Sequence, residues 1–257
     1  MGLSNFFFTT VKSMGSVDTD AAAFIAVAGI VNTAQRNAIY QLVTDLKSST
    51  LWSKLIAIYP MVGGIADSHK FNLKSAFDTD AANRLQFVGA PIHNTNGVYF
   101  NSAGYARTFL SVTHPTDLSL TYYVQTPATS FANDVVIGAV TNGGQGIYIQ
   151  SANGGNNSVY TGGNGYGIAL KAEHGLLHGN SFNGVANLFL NGAITATTAV
   201  GGANESEMYI GSLHYNGTAT NGTASTCSFS SIGYGFTDSE AMTFSTIVAS
   251  YQTALGR

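Results

Sequence analysis

Two carboxylates, Glu205 and Glu207, stand two residues apart in the run Asn204-Glu205-Ser206-Glu207. On a β-strand that spacing puts both on one face. Two carboxyls about 5–5.5 Å apart suit retaining glycoside hydrolysis. The glucanase pattern built on such a strand carries a third acidic residue, and here Met208, Tyr209 and Ile210 follow instead. The pair therefore reads as a solvated strand edge. The single cysteine, Cys227, has no base placed near it by sequence and reads as a buried small apolar residue. Six histidines are scattered without metal-ligand spacing, so His69 is expected to make a structural hydrogen bond. Asp238 and Glu240 belong to Thr237-Asp238-Ser239-Glu240, a capping box that assigns them to a helix start.

Ligand binding has three further candidates. Calcium takes six to eight oxygens, usually with several carboxylates. Asp117 and Asp134 plus loop carbonyls leave a weak calcium site open, while Asp117 equally suits the turn after Pro115. No other cofactor is implied. Sugars stack on aromatic rings and bond to amides, and Tyr160, Asn164, Tyr166 and Tyr215 lie in Gly/Asn-rich stretches that offer both. The alternative is that these tyrosines merely edge a hydrophobic sheet with wet hydroxyls. Phe6, Phe7 and Phe8 are three adjacent aromatics near the N-terminus. They read as an assembly arm for a partner subunit, or as packing on the chain's own helices.

These residues need a scaffold, and composition selects its type. The chain has 257 residues, 45% hydrophobic, 30 Gly and 4 Pro, which suits turn-rich β structure. Charged residues make up 9%, against roughly 25% in an average soluble protein. Net charge is −3, and between Thr108 and Gly256 the only Lys or Arg is Lys171. A phosphate-binding surface needs clustered cations, so nucleic acid is not an expected partner. No run approaches ~18 apolar residues, and the first eight residues lack a charged lead, so neither a membrane span nor a secretion signal is expected.

Residues up to about 60 follow a helical period. One helix starts at Asp18 or Asp20 and stops at Gly29, and a second follows Asn32-Thr33 with Ile39, Leu42, Val43 and Leu46 on one face. A third is predicted after Ser49-Thr50, where Trp52, Leu55, Ile56 and Tyr59 repeat the spacing before Pro60. Trp52 then faces the core. Beyond about residue 70 the pattern alternates. Short β-type runs cover 98–100, 118–125, 135–140, 146–150, 167–171, 187–190 and 208–211, separated by turns such as Asn183-Gly184 and Asn191-Gly192. A last helix follows the capping box, with Ala241, Phe244, Val248 and Tyr251 on one face. No internal repeat is visible.

Gly97-Val98-Tyr99-Phe100-Asn101, the 118–124 run, Asn187-Leu188-Phe189-Leu190-Asn191-Gly192, Tyr209-Ile210-Gly211-Ser212 and the tail from Cys227 resemble, in that order, the laminin-G/concanavalin A-like domains. A second resemblance covers nearly the whole chain. Leu51-Trp52-Ser53-Lys54, Ala57-Ile58-Tyr59-Pro60, Val62-Gly63-Gly64, the 69–74 block, the 80–85 block and the terminal 237–256 stretch are similar to virion proteins of phages infecting Bacteroidetes, of the crAss-like type.

The expected fold is a mainly β, antiparallel jelly-roll sandwich with a small N-terminal helical segment and a short C-terminal helix. The expected division is an arm over 1–15, a helical segment over 16–66 and a lectin-like sandwich over 67–257. The resemblance implies a virion structural protein, a tail or head fibre or a surface decoration; the lone cysteine, scattered histidines and incomplete acidic set lead to the expectation of no enzyme, and the lectin-like sandwich to that of adhesion to host glycans. Its implied partners are other virion proteins, further copies of itself in a homo-oligomer, and a host-surface glycan. A purely structural capsid or tail role and a polysaccharide depolymerase are the alternatives.

Overall fold

A computed structural model describes residues 17–112, 116–128, 134–141, 146–153, 156–161, 165–170, 174–201 and 206–257; at 146, 147, 151–153, 156, 157, 160, 161 and 165–170 only the backbone is described. Phe6, Phe7, Phe8, Asn164, Lys171 and Glu205 lie outside the described residues.

Local chemistry sets the helices. In α1 (Thr19–Val27) the Asp18 carboxylate caps the first turn, accepting from the Asp20 and Ala21 amides at 3.0 and 3.2 Å. Lys47 Nζ then ties Asp18 and Asp20 to the next helix at 2.7 and 2.6 Å. In α2 (Thr33–Ser48) Asn32 caps through the Gln35 amide, and Ala38, Ile39, Leu42, Val43 and Leu46 are buried along one stripe. A four-residue turn, α3 (Ala66–His69), comes later, and α4 (Asp238–Ala254) opens on the expected capping box, with Ala241, Phe244, Val248 and Tyr251 buried.

The third expected helix is not formed. Leu51–Lys54 is a 3-10 turn, and Leu55–Tyr59 is a strand, β1. The helical reading of 16–66 therefore holds only to Ser48. The reason lies in double burial. Leu55 and Ile58 face the helices, while Ala57 and Tyr59 face the core between the sheets. A strand covered on both sides reads as an unbroken apolar run, which periodicity does not distinguish from a helix.

The remaining strands are β2 (Gln86–Val88), β3 (Ile92–Asn94), β4 (Gly97–Tyr99), β5 (Tyr105–Ser111), β6 (Leu118–Thr126), β7 (Asp134–Val140), β8 (Gly146–Asn153), β9 (Asn156–Thr161) and β10 (Gly165–Leu170). They continue with β11 (Gly175–Phe182), β12 (Val185–Leu190), β13 (Ala193–Ala199), β14 (Glu207–Ile210), β15 (Leu213–Tyr215), β16 (Thr218–Thr220) and β17 (Thr226–Gly233). The first sheet runs β13-β12-β11-β6-β17-β4-β3, with β1 also paired to β17. The second runs β10-β9-β8-β7-β14-β5-β2, with β15 on β7 and β16 on β15. The expected β-sandwich is thus present. Its β11–β12 and β12–β13 hairpins turn on Asn183-Gly184 and Asn191-Gly192, both residues of each pair at positive φ.

Three layers result. Leu120, Tyr122, Val124, Ile137, Met208 and Ile210 fill the space between the sheets. On the other side of the first sheet, Tyr123, Leu176, Phe189 and Phe229 pack in one apolar cluster with α1, α2 and α4. The join between the helical and lectin-like parts is held by Asn72, which is fully buried. Its Oδ1 accepts from the Ile58 amide at 2.9 Å, and its Nδ2 donates to the Ala82 carbonyl at 3.1 Å. Among the described residues no helix is long and apolar enough to cross a membrane.

Two histidines are sealed into this arrangement. His178 lies beneath α4 among Phe189, Phe236 and Phe244, with Nε2 2.9 Å from the Ser119 hydroxyl. Burial lowers its pKa to about 3. His69 is likewise lowered to about 3, by burial first, then by His93 and Arg257. An unfolded histidine titrates near 6.5. The folded pKa is depressed, so the stability contributed by each neutral ring is complete above pH ~6.5 and is lost as pH falls toward 3. Each ring removes up to ~1.4 kcal/mol per pH unit across that window. The denaturation midpoint is expected to fall between pH 6.5 and 4.5, and His178→Phe to make that slope shallower; a midpoint flat over this range contradicts the assignment.

Candidate functional site

The second sheet turns one face to the sandwich core and the other away from it. Ala106, Met208, Ile210, Ile149 and Val159 point inward. The alternation of side chains along a strand then assigns Tyr105, Arg107, Glu207, Tyr209 and Tyr148 to the outer face. Backbone register lines up one row across seven strands. Gln86 pairs with Arg107, Arg107 with Tyr209, and Tyr209 with Gly138. Gly138 pairs with Tyr148, Tyr148 with Tyr160, and Tyr160 with Tyr166. Four tyrosine positions thus share a line that Gly138, lacking a side chain, interrupts in the middle.

Tyr209 anchors one half of this row. Its ring lies between Tyr105 at 4.9 Å and His214 at 4.2 Å, with interplanar angles of 18° and 11°. His214 is oriented in turn by an Nδ1–H donated to the Glu207 carbonyl at 2.8 Å. Tyr148 anchors the other half and packs on an apolar patch of Val135, Val140 and Leu213. Arg107 adjoins the aromatic stack. Its Nη2 donates to Glu207 Oε2 at 2.8 Å, its Nε lies 3.3 Å from both carboxylate oxygens, and its guanidinium sits 4.8 Å from the Phe109 ring centre. Glu207 Oε1 also accepts from the Phe109 amide at 2.8 Å. Phe109 has φ 55, a conformation that a bulky residue holds only when its surroundings fix it. The ladder between β14 and β5 shifts register between Glu207 and Tyr209, and the carboxylate takes up the amide at that irregularity.

Two of the sequence candidates, Tyr160 and Tyr166, fall on this row by backbone pairing. Tyr215 lies on the same sheet, in β15, paired with Val140 and 39% exposed. Tyr105, Tyr148, Tyr209, His214 and Arg107 did not emerge from sequence. Tyr209 stood inside a run read simply as a strand, and its partner Tyr105 lies far away in the chain.

Other candidates find structural places. Cys227 is fully buried, burial raises its thiol pKa, and its S–H points to the Phe229 carbonyl at 3.3 Å. His69 makes the expected structural bonds: Nε2 accepts from the Gly64 amide at 3.1 Å, which leaves Nδ1–H to donate to His93 Nδ1 at 3.0 Å. Among the described residues no three His, Cys, Asp or Glu gather to hold a metal. The two carboxylates offered for calcium are apart. Asp117 precedes β6 and accepts from the Gly235 amide at 2.7 Å. Asp134 sits beyond the other end of β6, near Ala224, roughly 30 Å away at ~3.4 Å per residue. They therefore cannot share one ion. Trp52 is partly buried against the helical cluster, with Lys74 Nζ 3.9 Å from its ring centre.

No family model and no curated protein matches the chain. Solved structures share its fold. A Trypanosoma rangeli sialidase with a covalently bound 2,3-difluorosialic acid intermediate is 12% identical, with a TM-score of 0.55 over 82% of this chain and 39% of that one. A mutant of that sialidase displaying trans-sialidase activity is 13% identical, with a TM-score of 0.56 over 85% of this chain and 39% of that one. The chain thus spans about two-fifths of these sialidases. Domain 4 of AbnA, a GH43 extracellular arabinanase from Geobacillus stearothermophilus solved with arabinotriose, is 15% identical, with a TM-score of 0.50 over 75% of this chain and 98% of that domain. At these identities the likeness is one of fold, a β-sandwich.

Glu207 carries structural work that its amide analogue can partly keep. Glu207→Ala strands the Phe109 amide and the Arg107 guanidinium together, and is expected to cost about 1–3 kcal/mol in denaturant unfolding. Glu207→Gln retains an acceptor for Phe109 and is expected to cost less than half as much; equal costs would show that the amide bond is irrelevant.

Proposed function

We propose that this chain is a non-catalytic adhesion protein that binds glycan on the outer face of its second sheet. The observation that carries this reading is the transverse row in which Tyr148, Tyr160 and Tyr166 pair on one side of Gly138 and Tyr209 and Arg107 on the other. Sugar rings stack on aromatic surfaces, and polar groups beside the rings fix orientation. A row of aromatic positions along one line suits an extended oligosaccharide better than a single sugar. The arabinanase domain of the same fold, solved with arabinotriose, supports this choice of ligand.

The proposal gives Glu207 no catalytic role. Its oxygens already accept N–H groups from Arg107 and Phe109, so it supports the platform rather than attacking a glycosidic bond. The setting proposed is a virion, as a fibre or decoration protein, on the strength of the resemblance of several sequence blocks to phage proteins of Bacteroidetes hosts. There Phe6, Phe7 and Phe8 would serve attachment to other virion proteins or to further copies of the chain.

A glycan array and titration calorimetry test the site. Tyr148→Ala, Tyr160→Ala and Tyr166→Ala are each expected to weaken binding at least about tenfold, or ~1.4 kcal/mol, in protein that circular dichroism shows to be folded. Unchanged affinity in all three variants removes this face from consideration. Turnover of the bound polysaccharide would replace adhesion with depolymerisation. Antibody labelling of intact phage particles is expected to decorate their surface, and an unlabelled particle would remove the virion setting.

A further inference from the structure

The proposed glycan face holds a single cation in its strands. Among the strands of the second sheet, Arg107 is the only Lys or Arg, and the next cation along the chain, Lys171, lies outside the described residues. Arg107 is already engaged. Glu207 takes its Nη2 at 2.8 Å and its Nε at 3.3 Å, an internal version of the fork by which arginine grips a ligand carboxylate. Nor is Glu207 free to swing aside, because its Oε1 accepts the Phe109 amide at 2.8 Å and its side chain is 14% exposed.

Resting on the adhesion reading above, we infer that this face selects uncharged glycans, and that the Arg107–Glu207 pair is the specificity determinant that turns carboxylated sugars away. An incoming uronate or sialate meets a guanidinium whose charge is matched, beside a carboxylate of its own sign. Displacing Glu207 would leave the Phe109 amide unsatisfied and a second carboxylate without a partner, and such costs are how a site rejects the wrong ligand. Neutral sugars meet neither cost. They need aromatic surface and hydrogen bonds, for which the face offers the partly exposed Tyr148 and the exposed amide of Gln86 beside Arg107. The chain's net charge of −3 adds no attraction for anions.

The test uses the full-length protein on an array carrying matched neutral, uronate-containing and sialylated glycans. Wild type is expected to bind within the neutral set and to leave the acidic sets empty. Glu207→Gln keeps an acceptor for Phe109 and frees the charge of Arg107. It is expected to raise the ratio of acidic-glycan to neutral-glycan affinity at least about tenfold over wild type. Should that variant fold poorly, salt decides: wild-type binding is expected to be unchanged between 50 and about 500 mM NaCl, because no ion pair forms with the ligand. Acidic glycans bound by wild type, no gain in a folded Glu207→Gln, or affinity that falls with salt would each overturn the specificity claim while leaving adhesion standing. Binding to neither class by wild type would instead overturn the adhesion reading, and this inference with it.

Discussion

Strand β17 lies in the middle of the molecule with solvent on neither side, and the other layers are arranged around that double burial. All eight of its residues are buried. Phe229 enters the cluster beneath α4, while Cys227 and Ile232 enter the core between the sheets. A strand so placed must find its polar partners inside the protein, although among the described residues the Ser228 hydroxyl has none. Ser230 donates to the Thr121 carbonyl at 2.7 Å, and the Ser231 and Thr121 hydroxyls meet at 2.7 Å. Neighbouring Tyr122 finds the Ser225 hydroxyl at 2.8 Å. Charged residues in these places would need full desolvation and a perfect partner. A chain with 9% charged residues and abundant Ser and Thr meets the same need with neutral pairs.

The helical layer follows from the same constraint. The outward side of the first sheet carries Tyr123, Leu176, Phe189 and Phe229, an apolar surface that water would not tolerate. Covering it takes α1, α2 and α4 together, and specific polar ties hold α4 in place. Lys54 Nζ meets Glu240 at 2.6 Å, and Asn180 clamps Phe236 by donating to its carbonyl at 2.8 Å and accepting from its amide at 2.7 Å. With its outer face spent on packing, the first sheet presents little chemistry. The second sheet keeps Tyr105, Tyr148 and a paired arginine partly exposed on its outer face, where the proposed ligand surface lies.

What could be read from sequence divides along locality. The caps at Asp18, Asn32 and Thr237, the stripes of α2 and α4 and the Asn-Gly turns are determined by residues within a few positions of one another, and they were legible. Leu55–Tyr59 was not, because its burial comes from partners such as Ser230 to Gly233 at the far end of the chain. The proposed binding face was half legible. Tyr160 and Tyr166 stood out because Gly and Asn surround them, whereas Tyr148 and Tyr209 stood inside runs that looked like core strand. Their alignment exists only in the pairing of β8 with β7 and of β7 with β14, which no local spacing encodes.

Glu207 illustrates how the surroundings of a residue decide its chemistry. In sequence it is one of two carboxylates at a spacing that glycosidases use. In the fold it accepts from Arg107 Nε and Nη2 and from the Phe109 amide. A carboxylate so engaged has its lone pairs directed at protein donors, and catalysis would require it to release one of them to reach a sugar. Likeness of fold to a sialidase does not alter this, because the sandwich supplies a frame and the side chains on a given face supply the function. On this frame Glu207 neutralises Arg107 and supports a strained Phe109. In doing so it keeps the neighbouring tyrosines beside an uncharged patch, the condition under which aromatic stacking rather than charge governs what the face can hold.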